Sequence, residues 1–228
     1  MNLERYRENL EGFYREGTTN HEEHNSNSDY FDTLLKPIIS NPENWEQKVA
    51  LDFGCGKGRN VTNLLSLASW KRVDGVDISE KNIKYCKTKY VGRDSLFYKN
   101  NGLDLKELDD NLYHFIMSTI VFQHIPVRKM RVSLKKEIYR LLKKNGTFSF
   151  QMGHGSFLNP RFNHSSYDTN AFSAKGSNGA CDVQITPESE DLLVEDLYSI
   201  GFKDVNYKIK KSFSDQSHEN WIYVNCKK

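Results

Sequence analysis

The residues with the clearest chemical potential are one acid and three glycines at fixed spacing. They are Asp52, Gly54, Gly56 and Gly58, in the run VALDFGCGKGRN from Val49 to Asn60. Val49, Ala50, Leu51 and Phe53 surround the acid, so the run reads as a buried strand entering a glycine loop and then a helix. Glycine permits positive φ and lets the backbone lie against a ligand with no Cβ between them. A bare loop at the carboxyl end of a strand, followed by a helix N-terminus, is where open α/β sheets bind nucleotides. A ligand-free glycine turn would use the same residues. A second acid, Asp77, lies near the end of Arg72–Ile78, nineteen positions beyond Gly58. An acid about 20 residues past a glycine loop, at the end of a second strand, can accept hydrogen bonds from the ribose hydroxyls of an adenosine. The same carboxylate also suits the positive end of a helix capped by Ser79.

Spacing narrows the choice of nucleotide. The dinucleotide pattern G-x-G-x-x-G needs glycine at position 59, where Arg59 stands, which argues against an NAD-dependent oxidoreductase. The phosphate-binding pattern G-x-x-x-x-G-K-[ST] is absent as well. The pattern D-x-G-x-G-x-G at 52–58 resembles the first motif of the class I S-adenosylmethionine (SAM)-dependent methyltransferases, and the resemblance extends over Gln47–Gln151. It implies SAM as cofactor. Asp52 and the loop of Gly54, Cys55, Gly56 and Gly58 would hold its methionine half, with Asp77 and Ile78 at the ribose. The family pattern draws a side chain for the adenine amino group from the loop after the third strand. Asn101, beside Gly102, matches that position; Asp104 is a rival, and an Asn-Gly turn is the plainer reading. The fourth strand, Tyr113–Ser118, leads into TIVFQHIP, and the resemblance implies that Ser118, Thr119 and Ile120 line the methionine and sulfonium. His114 departs from the aspartate common there. Phe122 suits either a ring face near the sulfonium or the core.

Methyl transfer from a sulfonium is an in-line displacement, and the enzyme mainly aligns donor and acceptor. A hydroxyl acceptor must also lose a proton, which a neutral imidazole can take. His124 is the candidate base, with Gln123 beside it as a substrate contact. Capping the next helix or filling a polar pocket is the alternative role for His124.

These residues need a scaffold. The pattern predicts a doubly wound α/β fold: a mostly parallel seven-stranded sheet with an antiparallel last strand, helices on both faces, and one domain over 1–228. Leu3, Tyr6, Leu10 and Phe13 recur at helical spacing, so 1–46 reads as an N-terminal helical cover able to bring Tyr14, His24 or Tyr30 over the cofactor. Asp74, within the second strand, is expected to face solvent. Met130, Leu134, Ile138, Leu141 and Leu142 predict a helix closed by Asn145-Gly146, and Thr147–Gln151 a fifth strand. An irregular lid is predicted over 152–186. Its aromatics, among them Tyr167 and Phe172, favour a packed lid, and its His154, His164 and Arg161 are candidate substrate contacts. Thr186-Pro187-Glu188 predicts a helix start. Val205, Tyr207 and Ile209, then Trp221–Val224, predict the last two strands.

Net charge is +2, with acidic and basic residues interspersed, so there is no clustered basic face of the kind that binds nucleic acid. The four cysteines are scattered, indicating neither a metal site nor a disulfide framework. No signal peptide heads the chain and no apolar run reaches roughly 18 residues, so a soluble, cytoplasmic protein without a membrane partner is expected. The functional expectation is a SAM-dependent methyltransferase, monomer or homodimer, moving a methyl group to an oxygen or nitrogen of a small-molecule acceptor. A methyltransferase acting on RNA or protein, and a non-catalytic SAM-binding module, are the alternatives.

Overall fold

The computed structural model describes residues 3–14, 31–35, 45–158, 163–170, 183–212 and 218–228. His24, Tyr30, Arg161 and Phe172 lie outside them, as do the side chains of Phe13 and Phe31. Strands β1 (Val49–Phe53), β2 (Arg72–Asp77), β3 (Phe97–Lys99), β4 (Tyr113–Thr119) and β5 (Leu142–Phe157) run parallel. A short parallel pair, β6 (Asn163–Ser166) and β7 (Val183–Thr186), forms a separate small sheet. Strands β8 (Lys203–Lys211) and β9 (His218–Lys227) complete the main sheet in the order β3-β2-β1-β4-β5-β9-β8. Strand β9 is antiparallel to both of its neighbours. The order turns back between β1 and β4, which creates a crevice at their carboxyl ends.

Helices α1 (Leu3–Tyr14), α2 (Arg59–Leu67), α3 (Glu80–Lys89), α4 (Arg128–Leu141) and α5 (Asp191–Ile200) cover the two faces. On one face, Tyr6 and Leu10 of α1, Leu134 and Ile138 of α4 and Leu193 of α5 pack in one core with Leu51, Phe53, Phe148 and Phe150. On the other, Val61 and Leu64 of α2 and Ile83 and Cys86 of α3 pack with Ala50, Val73 and Phe115. With both faces covered, every residue of β1 is buried, and the strand reads as an apolar run broken by one acid. Among the described residues no helix is long and apolar enough to cross a membrane.

Four local expectations need correction. Asp74 is fully buried rather than solvent-facing. An interior strand exposes neither face, and its carboxylate is neutralised by Arg72 and accepts hydrogen bonds from Leu96 N (3.0 Å) and the Tyr113 hydroxyl (3.0 Å). Helix α4 ends at Leu141, and Asn145 (φ 64°) with Gly146 sits in an irregularity inside β5, where the pairing with β4 jumps between Leu142 and Thr147. Strand β5 also continues past Gln151, because Met152, Gly153 and His154 keep pairing with Ile222, Trp221 and Asn220 of β9. Finally, Thr186 ends β7, its hydroxyl 3.0 Å from the His164 ring, and α5 starts only at Asp191 after Glu190.

Candidate functional site

A cavity of about 400 Å³ opens at the carboxyl ends of β1, β2 and β4. Asp77 and Ile78 line it at the end of β2, Asn100 and Gly102 beyond β3, and Gly54, Cys55, Gly56, Lys57, Arg59 and Asn60 beyond β1. Thr119, Ile120, Val121, His124 and Ile125 line it beyond β4, and Leu10 and Tyr14 of α1 with Leu134 of α4 add apolar wall. The sheet order thus gathers the loops after four strands, with α1 and α4 beside them.

The glycine loop is held by Gly54 N and Cys55 N, which both donate to the Val76 carbonyl at 2.8 and 3.1 Å. Gly54 has φ 77°, and a Cβ there would lie 2.2 Å from Val121 Cγ2. Both backbone shape and packing therefore demand glycine. Gly58 meets a different need: a Cβ would fall 2.7 Å from the Tyr90 ring, and the residue lies outside the lining. It begins α2 without any side-chain cap. The Cys55 thiol reaches the Gly56 carbonyl (3.6 Å), as does Cys86 (3.3 Å). Contact with Cys86 and then burial hold the Cys55 thiol well above its ordinary value, so it stays an unreactive packing group.

Asp52 and Asp77 differ sharply. Asp52 is fully buried beneath the loop, and neither carboxylate oxygen has a hydrogen-bond partner. Burial pushes it up to about 7; Arg59 pulls it back, the charge of Asp77 adds to the rise, and the nearby Asn60 side chain lowers it again. Asp77 accepts from Gly56 N (2.9 Å) on one oxygen, and from Ser79 N (2.8 Å) and Asn82 Nδ2 (3.3 Å) on the other. Burial raises its pKa, and the three donors counter that. A carboxylate offers about four acceptor positions, so Asp77 keeps roughly one for a ribose hydroxyl rather than two. Thr119 accepts from Asn60 Nδ2 at 2.9 Å, tying the first turn of α2 to the end of β4.

Several predicted residues stand apart from the cavity. The Asn101 carbonyl oxygen accepts from Leu103 N (2.8 Å) and Asp104 N (3.0 Å), and its amide donates to Asp104. That is the turn role, and its neighbour Asn100 faces the cavity instead. Gln123 is buried and accepts from Gly153 N at 2.9 Å, and Ser118 is buried in β4 outside the lining. His154 points from β5 toward Glu190, 3.6 Å away, and does not line the cavity. Phe122 packs in the core against Phe53, Phe148 and Phe150. His124 does line the cavity. Near it, burial and the field of His124 hold His218 down at about 4, so His218 stays neutral at cellular pH. Among the described residues no group of three or more His, Cys, Asp or Glu side chains is arranged for a metal ion.

Sequence reasoning missed Asn60, Asn82 and the cavity role of Arg59. The usable signal was a polar residue in the first turn of each helix that follows a ligand loop, next to the apolar stripe of Val61 and Leu64 or of Ile83 and Cys86.

The residues present fit a sulfonium nucleoside with an amino-acid tail. The cavity joins an acid at the end of β2 to bare loop backbone, and Asp52 lies buried beneath that loop. Residues 51–150 match a family model described as a methyltransferase domain. No curated protein matches the chain. Among solved structures it is similar to a SAM-dependent methyltransferase from Methanosarcina mazei, with 22% identity and a TM-score of 0.65 over 85% of this chain and 98% of that one. It is also similar to a phosphoethanolamine N-methyltransferase from Haemonchus contortus, solved with phosphomonomethylethanolamine and S-adenosylhomocysteine (17% identity, TM-score 0.65). That likeness covers 89% of this chain but only 53% of that one. A methyltransferase from Haloferax volcanii, solved with the Trm112 methyltransferase activator, is similar at 14% identity and a TM-score of 0.60, over 88% and 90% of the two chains. Family match and fold agree: residues 51–150 match a methyltransferase domain, and the chain has the fold of solved SAM-dependent methyltransferases.

Proposed function

We propose that the protein transfers the methyl group of SAM to an oxygen or nitrogen of a small-molecule acceptor. The observation that carries this reading is the cavity itself: about 400 Å³, with Leu10 and Tyr14 of α1 contributing to its wall. A space of that size suits a ligand of SAM's dimensions held on several sides, with the acceptor entering beside it. When bound, SAM supplies an electrophilic methyl group on a sulfonium. The chain's task is alignment and exclusion of water. In this reading Asp77 and Ile78 hold the ribose, with Asn100 and Gly102 nearer the adenine. The loop from Gly54 to Gly56, with Thr119, holds the methionine end, and Asp52 supplies negative charge beneath it. Val121, Ile125 and Leu134 keep water from the transferring methyl group. His124 takes the proton of a hydroxyl acceptor, or accepts a hydrogen bond from an amine and so orients its lone pair. Helix α1 serves as a cover through Leu10 and Tyr14. The H. contortus enzyme, a phosphoethanolamine N-methyltransferase by its own description, is one relative in fold whose acceptor is small.

The test is incubation of the purified protein with methyl-labelled SAM and a metabolite extract of its host, followed by separation of small molecules from polymer. Label is expected in the small-molecule fraction. Label confined to RNA or protein would overturn the proposal.

A further inference from the structure

His124 faces the cavity, and the chain on either side of it is pinned from outside. It closes a 3-10 turn, Phe122–His124, in which His124 N donates to the Val121 carbonyl (2.9 Å) and Ile125 N to that of Phe122 (3.2 Å). Just before it, the buried Gln123 side chain accepts from Gly153 N of β5 at 2.9 Å. Just after it, the Ile125 carbonyl accepts from Arg131 Nη1 at 2.6 Å. Gln123 and Arg131 do not line the cavity, whereas His124 and Ile125 both do. A 3-10 turn is short and poorly bonded, so anchors on both neighbours decide where the residue between them sits.

Arg131 is a costly choice of anchor. Helix α4 begins after Val127 without a side-chain cap, and Arg131, four residues on, reaches back over that end. The side chain is fully buried, and its Nε has no hydrogen-bond partner. Nη2 donates to the Tyr167 carbonyl, and the guanidinium lies 4.5 Å over the Tyr167 ring. Both acceptors are backbone carbonyls rather than carboxylates. An apolar side chain of similar volume would usually pack there at lower cost than a buried charge. What the planar fork adds is a fixed spacing between two segments, the cavity wall at Ile125 and the stretch 163–170. That stretch is a firm base. Arg128 N donates to the Thr169 carbonyl (2.8 Å), Lys129 N to Asn170 Oδ1 (2.9 Å), and the Tyr167 hydroxyl to Asp196 (3.0 Å).

We propose that Arg131 is a positioning residue for methyl transfer: braced on Tyr167, it fixes the Ile125 carbonyl and with it the placement of His124 against the acceptor. The role rests on the reading of His124 as the group that meets the acceptor. It extends that reading to a residue that touches neither donor nor acceptor.

The test separates donor binding from transfer in the full chain. Sites that bind S-adenosylhomocysteine are counted by calorimetric titration. Transfer is then measured per site, with methyl-labelled SAM and a metabolite extract of the host, in the small-molecule fraction. Arg131→Met is expected to lower the rate per site by about tenfold or more, the scale on which a misplaced catalytic group acts. Affinity for S-adenosylhomocysteine should stay within about twofold, since the donor contacts are separate. Arg131→Lys keeps the charge without the fork and should retain part of the rate. It also decides the matter if Arg131→Met does not fold. A merely structural role would reduce the number of binding sites and leave the rate at each one unchanged. A rate per site within about twofold of wild type, or an affinity loss as large as the loss of rate, would overturn the role of Arg131 alone. A wild-type chain that binds S-adenosylhomocysteine yet labels no small molecule would overturn this role together with the reading beneath it.

Discussion

The loops beyond β1 and β2 and the packing between α4 and α5 treat polar groups in opposite ways. On the donor side, Asp52 has no hydrogen-bond partner, Arg59 has no ion pair among the described residues, and α2 starts without a side-chain cap. Between α4 and α5 the buried charges are matched inside the protein. Arg128 donates to Asp196 at 2.7 Å, the Tyr167 hydroxyl donates to the other Asp196 oxygen at 3.0 Å, and Lys135 reaches that hydroxyl at 3.2 Å. Buried polar groups are costly when left unpaired, so a cluster of them at one cavity is a signature of a missing ligand. A closed network signals structure. The comparison predicts that substitutions on the donor side change ligand affinity, whereas substitutions in the network change stability.

The largest effect should follow Gly54→Ala. A Cβ forced into the left-handed region costs roughly 1–2 kcal/mol, and overlap with Val121 adds roughly 1–3 kcal/mol. Relief requires the loop to shift, taking Gly56 N away from Asp77. SAM affinity by titration should fall by about 100-fold or more, since each 1.4 kcal/mol of lost binding is tenfold. Unchanged affinity would mean that loop backbone does not form the donor wall.

Asp196→Ala is the matched experiment on the other side. It strips Arg128 and the buried Tyr167 hydroxyl of their acceptor, and losing one partner of such a network costs about 2–4 kcal/mol. Urea unfolding should report that loss, while SAM affinity of the folded fraction stays within about twofold. An affinity loss as large as that of Gly54→Ala would erase the division between the two regions.

The division also explains what could be read in advance. The donor side was legible because its parts are local: Asp52 to Gly58 is one run of seven positions, and Asp77 follows at a set distance fixed by one helix and one strand. The seven strands were legible from their apolar runs, and the antiparallel end of the sheet from two closing strands. Asp74 was misplaced because its partners are Arg72 and the remote Tyr113, and no local pattern announces a carboxylate neutralised inside a sheet. The tail of β5 was missed because Gly153 and His154 have little strand propensity; pairing with β9 makes them a strand. Asn101 illustrates the opposite error: the count from the family pattern reached the right loop, and turn chemistry then assigned the side chain to Leu103 and Asp104. The network between α4 and α5 was invisible for a simpler reason. Arg128 and Asp196 are 68 positions apart, and Lys135 reads on paper as one more solvated helix charge.

That lysine gives the smallest and most discriminating prediction. Lys135 is fully buried, its ammonium among the rings of Phe122, Phe150 and Tyr167, with Asp196 and Cys226 favouring its charge and Arg131 and Arg128 opposing it. Burial lowers its pKa from 10.5 to about 7. The folded chain therefore binds fewer protons at this site than the unfolded chain between those two values, so the site's contribution to stability rises with pH across that window. Below pH 7 both states are protonated and the full penalty of the buried charge persists. Lys135→Met keeps the apolar stem and leaves the Tyr167 hydroxyl still donating to Asp196. The variant should match or exceed the wild type by on the order of 1 kcal/mol near pH 6, with the advantage shrinking toward pH 10. Equilibrium unfolding at several pH values checks this. A variant that is much less stable at pH 6 would show that the ammonium is bound favourably there, and the α4–α5 network would then depend on its charge.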